Sequence, residues 1–110
     1  MPKPLKQGAI ILAPLNDHHG KTSIHFAVVL TSDNDIERGS DLIVAGISTS
    51  YEYPLPANWF LLDTLPGIGH PITGLKEACV VKNDWRDVVR QSDVIEVRGR
   101  VQSRIGKQLY

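Results

Sequence analysis

The chain reads as a mainly β protein, a small antiparallel barrel or sandwich. Three observations predict this: five or six short runs rich in Val and Ile, Gly, Pro, Asn and Asp between them, and no long amphipathic helical stretch. Its 110 residues form one domain, 1–110, with 42% hydrophobic and 22% charged residues, the balance of an ordinary folded chain. Neither an internal repeat nor a linker interrupts it.

The first strand candidate is Ala9-Ile10-Ile11-Leu12-Ala13, preceded by Gly8 and ended by Pro14. A polar loop, Asn16 to Lys21, then leads into Ile24-His25-Phe26-Ala27-Val28-Val29-Leu30, so the first two strands form a hairpin. After a turn cluster at Thr31 to Asp35, Ile36 to Ser40 is a polar connector, and Leu42 to Ser48 is the third strand. Pro and Gly punctuate residues 54–74 around one apolar run, Trp59-Phe60-Leu61-Leu62, which reads as a strand or strand edge. The β-branched segment Ala78 to Lys82 is a further strand, followed by a helical turn over about Trp85 to Gln91 or by a continuation of the strand. In the last strand Ile95, Val97, Gly99 and Val101 alternate with polar residues, predicting one apolar face.

Composition narrows the function classes. Twelve Lys and Arg balance twelve Asp and Glu, so no global charge draws the chain to nucleic acid or an acidic membrane, although the segment after Val94 is locally basic. Cys79 is the only cysteine, which excludes an intrachain disulfide and reads as a buried, inert thiol. No segment approaches the roughly 20 apolar residues of a spanning helix, and Met1 to Lys6 lacks the apolar core of a signal peptide; the expected location is the cytoplasm, away from membranes.

Several constellations bear on chemistry. His18, His19, His25, His70 and Asp17 supply metal-ligand types but no diagnostic spacing, so solvated loop histidines are the better reading and no metal is assigned. Gly67-Ile68-Gly69 lacks the Gly-Lys-Ser/Thr ending and following helix of a phosphate loop. Lys21, Lys82, Trp85, Arg86, Arg98 and Arg100 form a set suited to single-stranded nucleic acid, cations meeting phosphates and rings stacking on bases. The competing reading places Trp85 in the core and the arginines on a solvated edge.

In order and spacing, four pieces resemble one known family: Gly8 to Leu15; His25 to Leu30 followed by an Asp/Asn turn; Ile43-Val44-Ala45-Gly46-Ile47-Ser48; and Gly74-Leu75-Lys76 leading to Ala78-Cys79-Val80-Val81 and Trp85-Arg86. They are similar to the MazF/PemK toxins of type II toxin-antitoxin systems. That resemblance implies an SH3-like barrel with one or two short helical turns, acting as a metal-independent endoribonuclease on single-stranded RNA. It also implies a homodimer, a cognate antitoxin protein, growth inhibition and no cofactor. Ser48 matches the family's active-site hydroxyl at the end of the third strand, and Arg86 matches a basic position.

Three departures accompany the resemblance. His25-Phe26 stands where the family carries an Arg-Pro pair whose Arg serves acid-base catalysis and phosphate stabilisation. A histidine, with an ordinary pKa of about 6.5, transfers protons better near neutral pH but clamps phosphate less well than an arginine. Second, the family ends in a helix packed on the barrel, whereas Ser103 to Tyr110 allows about two turns, and third, residues 58–73 resemble an insertion. The expected site is therefore His25 and Ser48 as catalytic residues, with Lys21, Arg86 and Trp85 binding nucleic acid. The alternative is a non-catalytic barrel that binds nucleic acid or a protein partner.

Overall fold

Short alternating segments of β-branched residues cannot bury both faces alone, and here they pair into one antiparallel sheet. The computed structural model describes residues 4–17, 19–49, 53–62, 79–101 and 103–110. Its strands are β1 (Ala9–Asn16), β2 (Thr22–Val29), β3 (Leu42–Ser48), β4 (Trp59–Leu62), β5 (Cys79–Val89) and β6 (Glu96–Arg100), in the order β4-β5-β3-β2-β1-β6. Two short helices, α1 (Asp33–Glu37) and α2 (Ser103–Leu109), and a 3-10 turn at Gln91–Asp93 complete it. The mainly β expectation holds, and the sheet is barrel-like.

Curvature follows from one set of contacts. In a flat sheet β5 and β1 would lie about 14 Å apart, three strand spacings. Instead the Trp85 indole N–H donates to the Asn16 carbonyl at 2.8 Å, and Asp87 accepts the Asn16 backbone N–H at 2.8 Å. Only a strongly curled sheet brings those strands together.

Each face of the curled sheet has its own core. Inside lie Ala9, Ile11, Ala13, Leu15, Ala27, Val29, Leu42, Val44 and Val89, closed by Ile36 of α1 and flanked by Trp85. Outside lie Ile10, Val28, Ala45, Ile47, Leu62, Cys79 and Val81, covered by Val101 and by Ile105 and Leu109 of α2. Buried Cys79 fits the reading of an inert core thiol. The Tyr110 ring is half exposed, but its hydroxyl end packs where a Cβ at Gly8 would lie, a position Gly8 leaves open at φ +87. Burial, then the nearby Asp33 charge, pushes the Tyr110 phenol above its ordinary pKa of 10.0.

The structure corrects the sequence reading in two places and decides a third. Pro14 does not end β1: it pairs with Ile24, and the strand runs on to Asn16. Its imide nitrogen lies on the same side of the strand as the Asn16 N–H, which points to Asp87 rather than β2, and β6 faces β1 only from Ala9 to Leu12, so no ladder bond is lost. Of the two alternatives for Trp85 to Val89, the continued strand is the one observed: they extend β5, and the only helical turn there is the 3-10 turn beyond. The second correction is that β6 does not keep one apolar face. A register shift against β1 sends Val97 toward the inner core and Val101 toward the outer one, leaving Ile95 58% exposed. The connector after Thr31 forms α1, capped weakly by Ser32 through its hydroxyl to the Asp35 N–H at 3.4 Å.

Candidate functional site

The strands that build the core also build a groove, because their apolar pattern stops partway along. In β2 the buried run Ala27-Val28-Val29 gives way toward the hairpin tip to exposed Thr22, Ser23 and Ile24 and half-buried His25. In β3 burial ends at Ile47, before half-buried Ser48. In β5 the ladder breaks: Ala45 faces Arg86, whereas the next residue, Gly46, faces Lys82, so Asn83, Asp84 and Trp85 are extra chain. That bulge aims Trp85 back over the sheet, a known use of bulges near functional sites. Gly46 makes room for it, since a Cβ there would overlap the Trp85 indole.

The resulting groove encloses about 990 Å³. His25, Ser48, Trp85 and Arg86 all line it, so four of the five residues expected from the sequence share one concavity. The β2–β3 pairing, Ala27 with Gly46 through Val29 with Val44, ends just short of them. Continued by two residues in the same register, it would set His25 opposite Ser48 on the face shared with Gly46. Lys21 is not among the lining residues; it stands exposed in the β1–β2 loop. His18, His70 and most of the 58–73 stretch lie outside the described residues, and His19 is exposed.

Fixed contacts orient the groove side chains. The His25 Nε2 lies 2.7 Å from the Ser23 hydroxyl, and its ring meets Trp85 edge-on, centroids 5.0 Å apart at 81°. Arg86 donates through Nε and Nη2 to the side-chain oxygen of Asn83, at 3.3 and 2.9 Å, and through Nε to its carbonyl at 3.1 Å. Asn83 is neutral, so it aims the guanidinium without cancelling its charge. Two of the three groove carboxylates serve the backbone: Asp17 accepts from the His19 and Lys21 N–H groups in the hairpin loop, and Asp87 from Asn16 and Val88.

The sequence reading missed the far rim of the groove. There Lys82 Nζ sits 4.3 Å from the Trp59 ring centroid, and the Trp59 indole N–H donates to Asp84 at 2.8 Å. The pairing of Trp59 with Lys82 in the β4–β5 ladder brings the trio together across 23 positions of sequence, so no local motif could have announced it. By sequence Lys82 groups with nucleic-acid binding residues and Trp59 reads only as strand.

Compared with protein-family models and with curated proteins, the chain finds no match. The groove itself therefore carries the functional argument. Among the described residues no helix is long and apolar enough to cross a membrane.

Proposed function

We propose that the groove binds single-stranded RNA and cleaves it without metal, as the resemblance to MazF/PemK toxins implies. The observation that carries this reading is that His25 and Ser48, far apart in sequence, line one groove with two indole rings, Trp59 and Trp85, and two cations, Lys82 and Arg86. Transesterification needs a base for the 2′-OH proton, a donor for the charged phosphorane and an acid for the leaving 5′-oxygen. His25 takes the 2′-OH proton, and Nδ1 is the nitrogen left for it while Ser23 holds Nε2. Ser48 positions the phosphate, and Arg86 offsets its charge; Lys21 meets a more distant phosphate from the hairpin loop. The phosphorane collapses to a 2′,3′-cyclic phosphate as the 5′-oxygen departs with a proton taken from water, and the His25 imidazolium returns its proton to the hydroxide so formed.

The test is cleavage of single-stranded RNAs of varied sequence in chelator by wild type and His25→Ala. Cleavage by the wild type and its loss in the variant support the reading; equal cleavage by both removes His25 from the mechanism. Growth arrest on expression, relieved by a co-expressed antitoxin, and a dimer in solution belong to the same proposal.

A second reading, a barrel that binds RNA or a protein without cutting, is favoured by the hydrogen bonds that already occupy His25 and Arg86. Tight RNA binding with no cleavage under any buffer condition would select it.

A further inference from the structure

We propose that Trp59, Lys82 and Asp84 form a nucleobase subsite that selects guanine. The proposal rests on the RNA-binding reading and goes beyond it by assigning specificity to a rim that neither the strand pattern nor the family resemblance marks.

Unpaired bases are recognised by stacking on an aromatic face and by hydrogen bonds to their Watson–Crick edge. Trp59 is half-buried on edge strand β4 and lines the groove, so it offers such a face. Lys82 Nζ lies over that ring at 4.3 Å, a cation–π contact that holds the aromatic surface ready without apolar burial. A stacking base takes the place of the ammonium, which has a flexible stem and moves to an acceptor on the base or to a neighbouring phosphate.

Asp84 sets the choice of base. Of the three groove carboxylates it alone makes no hydrogen bond to backbone among the described residues; its Oδ1 accepts the Trp59 indole N–H at 2.8 Å, and Oδ2 carries no partner there. The indole bond fixes the carboxylate at the ring edge, where a stacked base presents its own edge. Guanine alone among the RNA bases offers two adjacent N–H donors, N1–H and N2–H, to a carboxylate. Cytosine, adenine and uracil each give one donor beside an acceptor that an ionised carboxylate repels. Lys82 complements the guanine O6.

The subsite is spaced for a nucleotide next to the scissile phosphate. Lys82 lies between Trp59 on β4 and Gly46 on β3, so the ring stands about 10 Å, two strand spacings, from the strand that carries Ser48.

The experiment measures binding of fluorescein-labelled 2′-O-methyl hexamers, which cannot be cleaved, each with one variable base in a uridine background. Wild type should bind the guanine oligomer about tenfold more tightly than those with adenine or inosine, inosine lacking only the N2 amino group. Asp84→Asn should abolish that preference while keeping affinity for the adenine oligomer. Trp59→Ala should weaken all of them, with Trp59→Phe retaining most of the affinity. Equal binding of guanine and inosine by wild type, or a guanine preference unchanged in Asp84→Asn, overturns the subsite and leaves the RNA reading standing. A guanine preference without cleavage of the matching ribo-oligomer upholds the subsite and removes the nuclease step. Failure of every oligomer to bind overturns both.

Discussion

The two halves of β2 and β3 differ sharply although they belong to the same strands. From Ala27 to Val29 and from Leu42 to Ile47 nearly every residue is buried, and alternation divides these residues between an inner and an outer core. From Thr22 to His25, and at Ser48, the same strands carry polar side chains toward water and a groove. The apolar half specifies register, because a one-residue slip would exchange its two faces. That register brings His25 and Ser48 to one groove. Fold and site thus share a ladder but depend on different ends of it, and substitutions at the two ends should fail in different ways.

Breaking the groove end should give the largest functional effect. His25→Ala is expected to lower RNA cleavage by at least about 100-fold, the usual scale for losing a proton-transfer group, while shifting stability by less than about 1 kcal/mol. Single-turnover cleavage assays beside urea titrations separate the two. Leu42→Ala attacks the opposite end: removing a fully buried side chain from the inner core should cost about 3 kcal/mol. The expected pattern is a lower denaturation midpoint with cleavage per folded molecule unchanged.

Gly46→Ala tests the boundary between the halves. The added methyl meets the Trp85 indole, which is held by Asn16 and by the edge of His25, so the ring has little freedom to yield. A loss of about 1–3 kcal/mol together with reduced RNA affinity is expected, and changed tryptophan emission would report the displaced ring. An effect on stability alone would show that the groove tolerates a shifted Trp85.

The smallest expected effect lies farthest from the groove. Tyr110 has a folded pKa above its ordinary 10.0, so the unfolded chain loses that proton first as pH rises. Stability is therefore full below about pH 10 and declines above it. Tyr110→Phe should flatten this decline in denaturant titrations between pH 9 and 11 while leaving cleavage at neutral pH untouched.

Much of the strand pattern was legible because burial and turn chemistry are local. Leu42 to Ser48 and Trp59 to Leu62 were delimited by composition alone, and the hairpin by the polar residues between two apolar runs. The end of β1 was misplaced because Pro14 forbids a donor, and whether a donor is needed depends on neighbours distant in sequence. Continuation of β5 was left undecided for a related reason: Trp85 to Val89 carry a mixed pattern that makes sense only with a bulge opposite Gly46. His25, Ser48, Trp85 and Arg86 were identifiable by chemical type. Lys82, Trp59 and Asp84 as a unit were not, since it takes the β4–β5 register to assemble them.

The offset between Ala45 and Gly46 has a consequence for how such a scaffold changes over time. Asn83, Asp84 and Trp85 are surplus to the β3–β5 ladder, although the Asn83 N–H still donates to the Asn58 carbonyl at 3.1 Å, so they answer to few of the constraints that hold β3 and β5 in step. Of these residues, Asn83 steers Arg86, Asp84 meets Trp59 and Trp85 meets His25. Sequence drift confined to this loop-out can therefore retune what the groove accepts while the flanking ladder stays fixed. The barrel is the durable part of the molecule, and under the proposed RNA-binding reading part of its specificity is written in spare chain.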